Sequence, residues 1–272
     1  MIITDTHTHS LYSFDGYPES NIGAMCERAI ELGLKYLCVT DHYEANYRTQ
    51  YPEYPVYNAE AAKKDIFENK EKYKGKLNLI YGIECGQITQ ATDSALEFLN
   101  KNKFEFVIGS LHNTDGEDDP YVLDMSVFSE QQLRKRWDVY LEELYRVAQF
   151  DCFDTLAHLT YPIRYCYRDN NLFDWTYSKD AIAQILKKVI DNGMCLEVNS
   201  SGFRQKMDAP VPNDFVLSLY KDLGGEFITI GSDGHCLEYI AYGFKQTEDY
   251  LKALGYKHYH LKTKKELITF DL

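Results

Sequence analysis

Seven short apolar runs recur along the chain, each followed by a helical pattern or a long loop. They are Ile2–Thr6, Lys35–Thr40, Leu77–Ile83, Phe104–Leu111, Thr155–His158, Met194–Asn199 and Phe227–Ser232. All but the short fifth have the compact Ile/Leu/Val/Phe/Tyr content of strands buried in a parallel sheet. Helix candidates lie between them. Asn21–Leu32 sets Ile22, Met25, Ala29 and Leu32 on one face, and Asn58–Tyr73 and Thr92–Asn100 follow. Ser129–Ala148 opens on a Ser129/Gln132 pair with capping-box spacing. Ser178–Asn192, Asn213–Leu223 and Glu238–Leu254 each run into a glycine. This alternation predicts an α/β fold, a closed or nearly closed parallel barrel. The rival, an open doubly wound sheet, would carry a Gly-x-Gly-x-x-Gly turn or a Gly-Lys-Ser/Thr loop, and the sequence has neither. No repeat or Pro/Ser-rich linker divides the chain, so residues 1–272 are expected to form a single domain. A further run, His258–Leu261, is expected to close the end of the chain.

The ends of these runs carry the chemistry. Of eight histidines, six fall where a predicted strand finishes: His7 and His9 after strand one, His42 after strand two, His112 after strand four, His158 at strand five and His235 after strand seven. Glu84 follows strand three, and Asp15 and Asp233 lie in the same end regions. In a parallel barrel all strand C-termini open onto one mouth, where active sites are built. Residues more than a hundred positions apart would therefore meet. Imidazole with carboxylate suits Zn²⁺, Mn²⁺ or Fe²⁺. Nine such groups exceed what one ion coordinates, so two or three divalent ions are expected, with a carboxylate bridging. Each residue alone has an ordinary reading: a helix cap, a satisfied core histidine, a buried ion pair. Six strand ends are hard to explain separately by packing. The second pair, His258-x-His260, has no acidic partner near it in sequence and reads as structural or surface.

Composition narrows the partners. Twenty-nine basic against 42 acidic residues give a net charge of −13, which disfavours nucleic acid. No apolar run approaches the ~18 residues of a membrane span, and the opening residues show no signal-peptide pattern, so a cytoplasmic protein without membrane partners is expected. Seven cysteines without a Cys-x-x-Cys fit reduced thiols rather than a disulfide framework. Nothing in the sequence specifies an oligomeric state.

The segments Asp5-Thr6-His7-Thr8-His9-Ser10, Asp15-Gly16, Thr40-Asp41-His42, Gly82-Ile83-Glu84, His112, His158 and Gly231-Ser232-Asp233-Gly234-His235 together resemble the motifs of the PHP (polymerase and histidinol phosphatase) superfamily. Their order is that family's order, and length and context are most similar to its stand-alone histidinol-phosphatase branch. The resemblance implies a distorted (β/α)7 TIM-like barrel with a trinuclear metal centre. One ion would take His7, His9, Glu84 and Asp233. A second would share Glu84 and add His112 and His158. The third would take Asp15, His42 and His235. Many members have His where this chain has Asp15, and an oxygen ligand there favours Mn²⁺ or Fe²⁺ over Zn²⁺.

The implied activity is a metal-dependent phosphomonoesterase that hydrolyses L-histidinol phosphate in histidine biosynthesis, with a metal-bridging hydroxide attacking phosphorus. A small phosphorylated substrate is thus the expected partner, and bound cations reconcile an anionic protein with an anionic substrate. Arg164 and Arg204, on loops at the metal-bearing end, are the candidate catalytic and substrate-binding residues, because a guanidinium matches phosphate oxygens. The acidic loop 113–119 could face the substrate amine, Tyr161 and Phe203 could stack on its imidazole, and Asp41 is the nearest candidate acid. The alternatives are a related phosphoesterase for another small ester or nucleotide and a non-catalytic metal-binding module.

Overall fold

Strand β1 (Thr4–Thr8) is buried along its whole length although four of its five residues are polar or acidic besides a histidine, which already marks it as site-bearing rather than packing-driven. The computed structural model describes residues 1–47 and 56–272. Helix α1 (Ile22–Glu31) starts where the Asn21 side chain accepts from the Ala24 amide and buries Ile22, Met25, Cys26 and Ala29. Strands β2 (Tyr36–Val39) and β3 (His42–Glu44) lead to α2 (Ala59–Lys72), β4 (Asn78–Gly86) and α3 (Thr92–Asn102). After β5 (Phe106–Ser110) comes α4 (Glu130–Val147), with the expected capping box between Ser129 and Gln132 formed in both directions. Next are β6 (Thr155–Leu156), α5 (Tyr161–Arg168), α6 (Lys179–Asp191) and β7 (Cys195–Asn199). The chain ends with α7 (Asp214–Asp222), β8 (Ile228–Gly231), α8 (Phe244–Ala253) and a hairpin of β9 (His258–Lys262) and β10 (Leu267–Asp271).

The strands pair in parallel in the order β1-β2-β4-β5-β6-β7-β8. Strands β2 and β3 are one interrupted strand: Tyr36–Val39 aligns with Asn78–Tyr81, and His42–Glu44 with Glu84–Gly86 further along β4. The circle is nearly closed between β8 and β1, where Thr6 Oγ1 donates to the Ile230 carbonyl at 3.0 Å, the Asp233 amide to the His7 carbonyl at 2.8 Å and the His9 amide to the Gly234 carbonyl at 2.9 Å. This is the nearly closed parallel barrel that the alternation predicts, in the distorted seven-stranded, TIM-like form that the resemblance implies.

Apolar helix faces wrap the sheet. Leu133, Trp137, Leu141 and Leu144 of α4 and Ile182, Ile185 and Val189 of α6 are buried in one cluster, where each large aliphatic side chain contributes about 1.5–3 kcal/mol. A second cluster fills the barrel interior: Cys38, Phe106, Ile108, Ala157 and Leu261. Leu261 comes from the terminal hairpin, which covers the N-terminal ends of the strands. There the Tyr259 hydroxyl accepts from the Ile3 amide at 2.8 Å, and the Lys264 amide reaches the Glu105 carbonyl at 3.0 Å. The barrel is therefore plugged at its floor, and only the opposite mouth is left for polar chemistry.

Three elements depart from the sequence expectations. The stretch expected as one helix, Glu238–Leu254, is a 3-10 turn at Leu237–Tyr239 followed by α8, because Gly243 takes a left-handed φ of 72° between them. Strand β6 stops after two residues rather than running to His158, since His158 itself has a φ of 21°. The stretch holding Arg164, expected as a loop, is helix α5, whose aromatic content and early proline hide its short apolar face.

Candidate metal centre

The nine residues singled out at the strand ends converge on the mouth. Glu84, in the buried C-terminal half of β4, is the hub. Its Oε2 lies 3.1 Å from His7 Nε2 and 3.0 Å from His42 Nδ1, and its Oε1 lies 3.1 Å from His112 Nε2 and 3.0 Å from His158 Nε2. Asp233 Oδ1, just past β8, lies 3.5 Å from His9 Nε2 and 3.8 Å from His7 Nε2. Asp15 Oδ2 lies 3.0 Å from His235 Nε2 and 3.6 Å from His42 Nε2. Four sets bring one donor atom from each member within 4.8 Å of the others: His9/Asp15/His42/His235, His7/His9/Asp233, His7/Glu84/His158 and His42/Glu84/His112. His7, His9 and His42 thus each belong to two sets, where the expected partition gave each to one.

Local backbone serves this convergence. His7 and His9 are two apart at the end of β1, so both rings emerge on one side. His158 and Asp233 sit at left-handed φ values of 21° and 54°, a conformation that costs a non-glycine residue on the order of 1–3 kcal/mol. Each is held: the His158 amide donates to Glu197 Oε2 at 2.8 Å, and the Asp233 amide to the His7 carbonyl. Two buried carboxylates tie the remaining loops. Asp5 accepts from the Ser232 amide, the Ser232 hydroxyl and the Ala241 amide, and burial outweighs these donors to push its pKa up to about 6. Asp41 accepts from the Ser10 amide at 2.6 Å and hydroxyl at 3.0 Å, and burial pushes it to about 6 as well. Each oxygen of Asp41 accepts from Ser10, so Asp41 ties the loop after β1 to the end of β2.

The electrostatics are those of opposite charges forced together in a dry place. Burial opposes ionisation of Glu84, yet His7, His112 and His42 hold its carboxyl well below the usual range. Asp233 is likewise held down, against burial, by His7, His9 and Arg164. Burial opposes protonation of His7, but Glu197, Glu84 and Asp233 hold its pKa well above the ordinary imidazole value; His112 is raised to about 10 by Glu44 and Glu84 against the same burial. His9 goes the other way, lowered by burial and by the neighbouring His235 and His42. Several donor atoms still lack hydrogen bonds: His7 Nε2, His9 Nε2, His42 Nδ1 and Glu84 Oε2 are all buried and unpartnered in that sense. Buried polar atoms are rarely left so, and imidazole nitrogens with carboxylate oxygens fit a cluster of divalent cations.

The arginines both reach this mouth, with different engagements. Arg164 is buried on α5. Its Nη1 donates to Asp233 Oδ2 and Ser201 Oγ, each at 2.9 Å, its Nη2 donates to the Tyr165 hydroxyl, and its Nε–H is buried without an acceptor. Arg204 closes a 3-10 turn after β7, and its two Nη groups donate to the Ser232 and Asp233 carbonyls at 2.8 and 2.9 Å, clamping the strained loop. Tyr161 stands with its ring centroid 5.0 Å from those of His112 and His158, and its hydroxyl donates to Asp119 at 2.8 Å. Within the acidic loop, Glu117 pairs with Arg136 at 2.7 Å. Phe203 packs beside Gly243.

Two buried acids here escaped sequence reasoning. Glu44 ends β3 and Glu197 lies within β7, the one predicted strand that contributed no candidate ligand. For Glu197 the signal available was an acid inside a largely apolar strand, where burial without a partner is costly; Glu44 ends the polar run His42–Glu44 and gave none.

Comparison with known proteins agrees with this architecture. The PHP domain family model matches residues 5–201. A Thermotoga maritima protein named "Probable histidinol-phosphatase" is 30% identical over 98% of this chain and 99% of its own length. A Clostridium acetobutylicum protein of the same name is 28% identical over 90% of this chain and 91% of its own. Among solved structures, the histidinol phosphate phosphatase of Lactococcus lactis, complexed with zinc, L-histidinol and phosphate, superposes with a TM-score of 0.80 at 22% identity, covering 97% of this chain and 98% of that one.

Proposed function

The chain belongs to the PHP domain family, and from that premise we propose that it is a metal-dependent histidinol-phosphatase, releasing phosphate from L-histidinol phosphate in histidine biosynthesis. The observation that carries the chemistry is the convergence of buried imidazoles on both oxygens of Glu84. His7, His9, Asp15, His42, Glu84, His112, His158, Asp233 and His235 are the residues that would hold two or three divalent ions of the Zn²⁺, Mn²⁺ or Fe²⁺ kind. Such ions supply an activated water at neutral pH and neutralise charge on the phosphoryl group. Residues 1–272 act as one domain in this reading: the family match ends at residue 201, but β8 and the Asp233 loop complete the barrel.

The protein's own groups bind and orient. Arg164 is fixed by Asp233, Ser201 and Tyr165, so its guanidinium meets a phosphate pre-oriented, and its unpartnered Nε–H is a donor for a phosphate oxygen. Arg204 adds positive charge and holds the Ser232–Asp233 carbonyls, coupling phosphate contact to the geometry of Asp233. Hydrogen bonds from Arg164 through the Tyr165 and Tyr161 hydroxyls to Asp119 fix the wall beside His112 and His158.

The test is phosphate release from L-histidinol phosphate against a panel of other monoesters, with Mn²⁺ or Zn²⁺ and after chelation. We expect kcat/KM above ~10⁴ M⁻¹s⁻¹ on histidinol phosphate, far above the panel and lost on chelation. Activity confined to other esters would overturn the substrate, and bound metal with no hydrolysis of any ester would favour a non-catalytic module.

A further inference from the structure

Glu197 and Glu44 are not among the groups that line up as ligands, yet each meets a ligand histidine from behind. Glu197 is fully buried. Its Oε1 lies 2.6 Å from His7 Nδ1, while its Oε2 accepts from the His158 amide at 2.8 Å and from Asn199 Nδ2 at 3.1 Å. One carboxylate therefore holds the ring of the β1 histidine and the strained backbone of the histidine that follows β6. Glu44 Oε1 lies 2.8 Å from His112 Nδ1 and 3.1 Å from His42 Nδ1.

Both acids occupy room that glycine leaves. A Cβ at Gly231 would stand 2.7 Å from Glu197 Oε1 and 2.4 Å from His7 Cβ, and a Cβ at Gly86 would stand 1.9 Å from Glu44 Oε2. A side chain at Gly231 would run into His7 itself, and one at Gly86 would displace the Glu44 carboxylate from its place, so each glycine leaves the room that its acid–imidazole pair uses.

The chemistry follows from which atoms can donate. An ionised carboxylate only accepts, so the imidazole Nδ1 facing it carries the hydrogen. The other nitrogen, Nε2, is then the one whose lone pair is offered to a cation. In His7 and His112 that nitrogen points at Glu84, at 3.1 Å from Oε2 and Oε1 respectively. Two lines, Glu197–His7 and Glu44–His112, thus end on the two oxygens of one bridging acid.

We propose that Glu197 and Glu44 are positioning residues of the metal centre, each fixing the tautomer and ring direction of one histidine so that its Nε2 faces the cations gathered at Glu84. The proposal rests on the reading of the cluster as a metal centre. It adds that two acids outside the ligand set govern affinity.

The experiment uses the full chain carrying Glu197→Gln or Glu44→Gln. Gln matches the shape but removes the charge. Metal is stripped with a chelator, Zn²⁺ and Co²⁺ affinities are measured by competition with a chromophoric chelator, the visible spectrum of the Co²⁺ form is recorded, and Tm is measured without metal. Each variant should bind metal about 10–100-fold more weakly, with a changed Co²⁺ spectrum and a metal-free Tm near that of the unsubstituted chain. Unchanged affinity and spectrum in both variants would overturn the proposal, as would loss of the metal-free fold in both, which would make the acids structural. If only one variant unfolds, the other decides. Failure of the unsubstituted chain to take up either metal would instead break the metal-centre reading itself.

Discussion

The chain contains two His-x-His pairs at the ends of the same barrel, and they have opposite fates. His7 and His9 are wholly buried at the mouth, within 4 Å of Glu84 and Asp233. His258 and His260 lie on β9 at the floor. His258 is exposed beside Asp271 at 3.1 Å, and His260 is buried with its Nδ1 accepting weakly from the Ile228 amide at 3.4 Å. Spacing is identical, and in both cases it sets two rings on one side of a strand. What separates them is the direction of the strands. Every parallel strand delivers its C-terminal residue to the mouth, so the first pair meets acids from β4 and the loop after β8. The second pair lies where strands begin, among Phe227, backbone and an apolar plug. A motif becomes a site when the fold aims other chemistry at it.

The sharpest way to break this contrast is to remove one ring from each pair. His9→Ala should lower kcat/KM by at least about 10³-fold and reduce bound metal, measured by phosphate release and metal analysis. Full activity with a full metal complement would dissolve the distinction. Arg164→Lys should keep the charge at the mouth but lose the forked contact, lowering kcat/KM by about 10–100-fold with metal content unchanged. Unaltered kcat/KM would place Arg164 in the scaffold with Asp233 alone.

The floor pair should show itself in stability rather than turnover. Burial lowers the pKa of His260 below its ordinary 6.5, so the folded state prefers the neutral ring. Stability from this group is complete above the unfolded value and is lost as pH falls below it, because the unfolded chain takes up the proton first. Denaturant titrations at several pH values should therefore find a shallower acid-side slope in His260→Gln than in the unsubstituted chain. The difference should be no steeper than about 1.4 kcal/mol per pH unit. An equal slope would mean that the floor does not resist protonation. Least of all, His258→Ala should change stability by under about 0.5 kcal/mol and leave phosphate release unchanged, since an exposed ion pair contributes little.

Much of the molecule was legible in residue order. The seven runs reappear as the barrel strands within a few residues, and the Ser129/Gln132 box opens α4 where its spacing says it should. Helix α5 was not legible, because eight residues with three aromatics and an early proline give too short a period to register. Nor was the break in Glu238–Leu254, where a single left-handed glycine outweighs a continuing helical pattern. The site divides in the same way. Histidine and acid at successive strand ends disclosed the nine convergent groups, whereas the bonds that Asp41 accepts from Ser10 were not legible, because proximity in sequence does not say which atoms a carboxylate holds.

The sequence by itself determined the barrel and the kinds of donor atom gathered at one end of it, because strand alternation and terminal residue type are local properties that parallel pairing carries to a common place. Only the tertiary structure decided which atoms meet. Glu197 and Glu44 stand behind His7 and His112, Arg204 clamps the Asp233 loop, and His42 bridges two donor sets, all through contacts between residues distant in the chain. Those partnerships depend on strand register and on the space left by Gly86 and Gly231, and these are set only when the whole barrel closes.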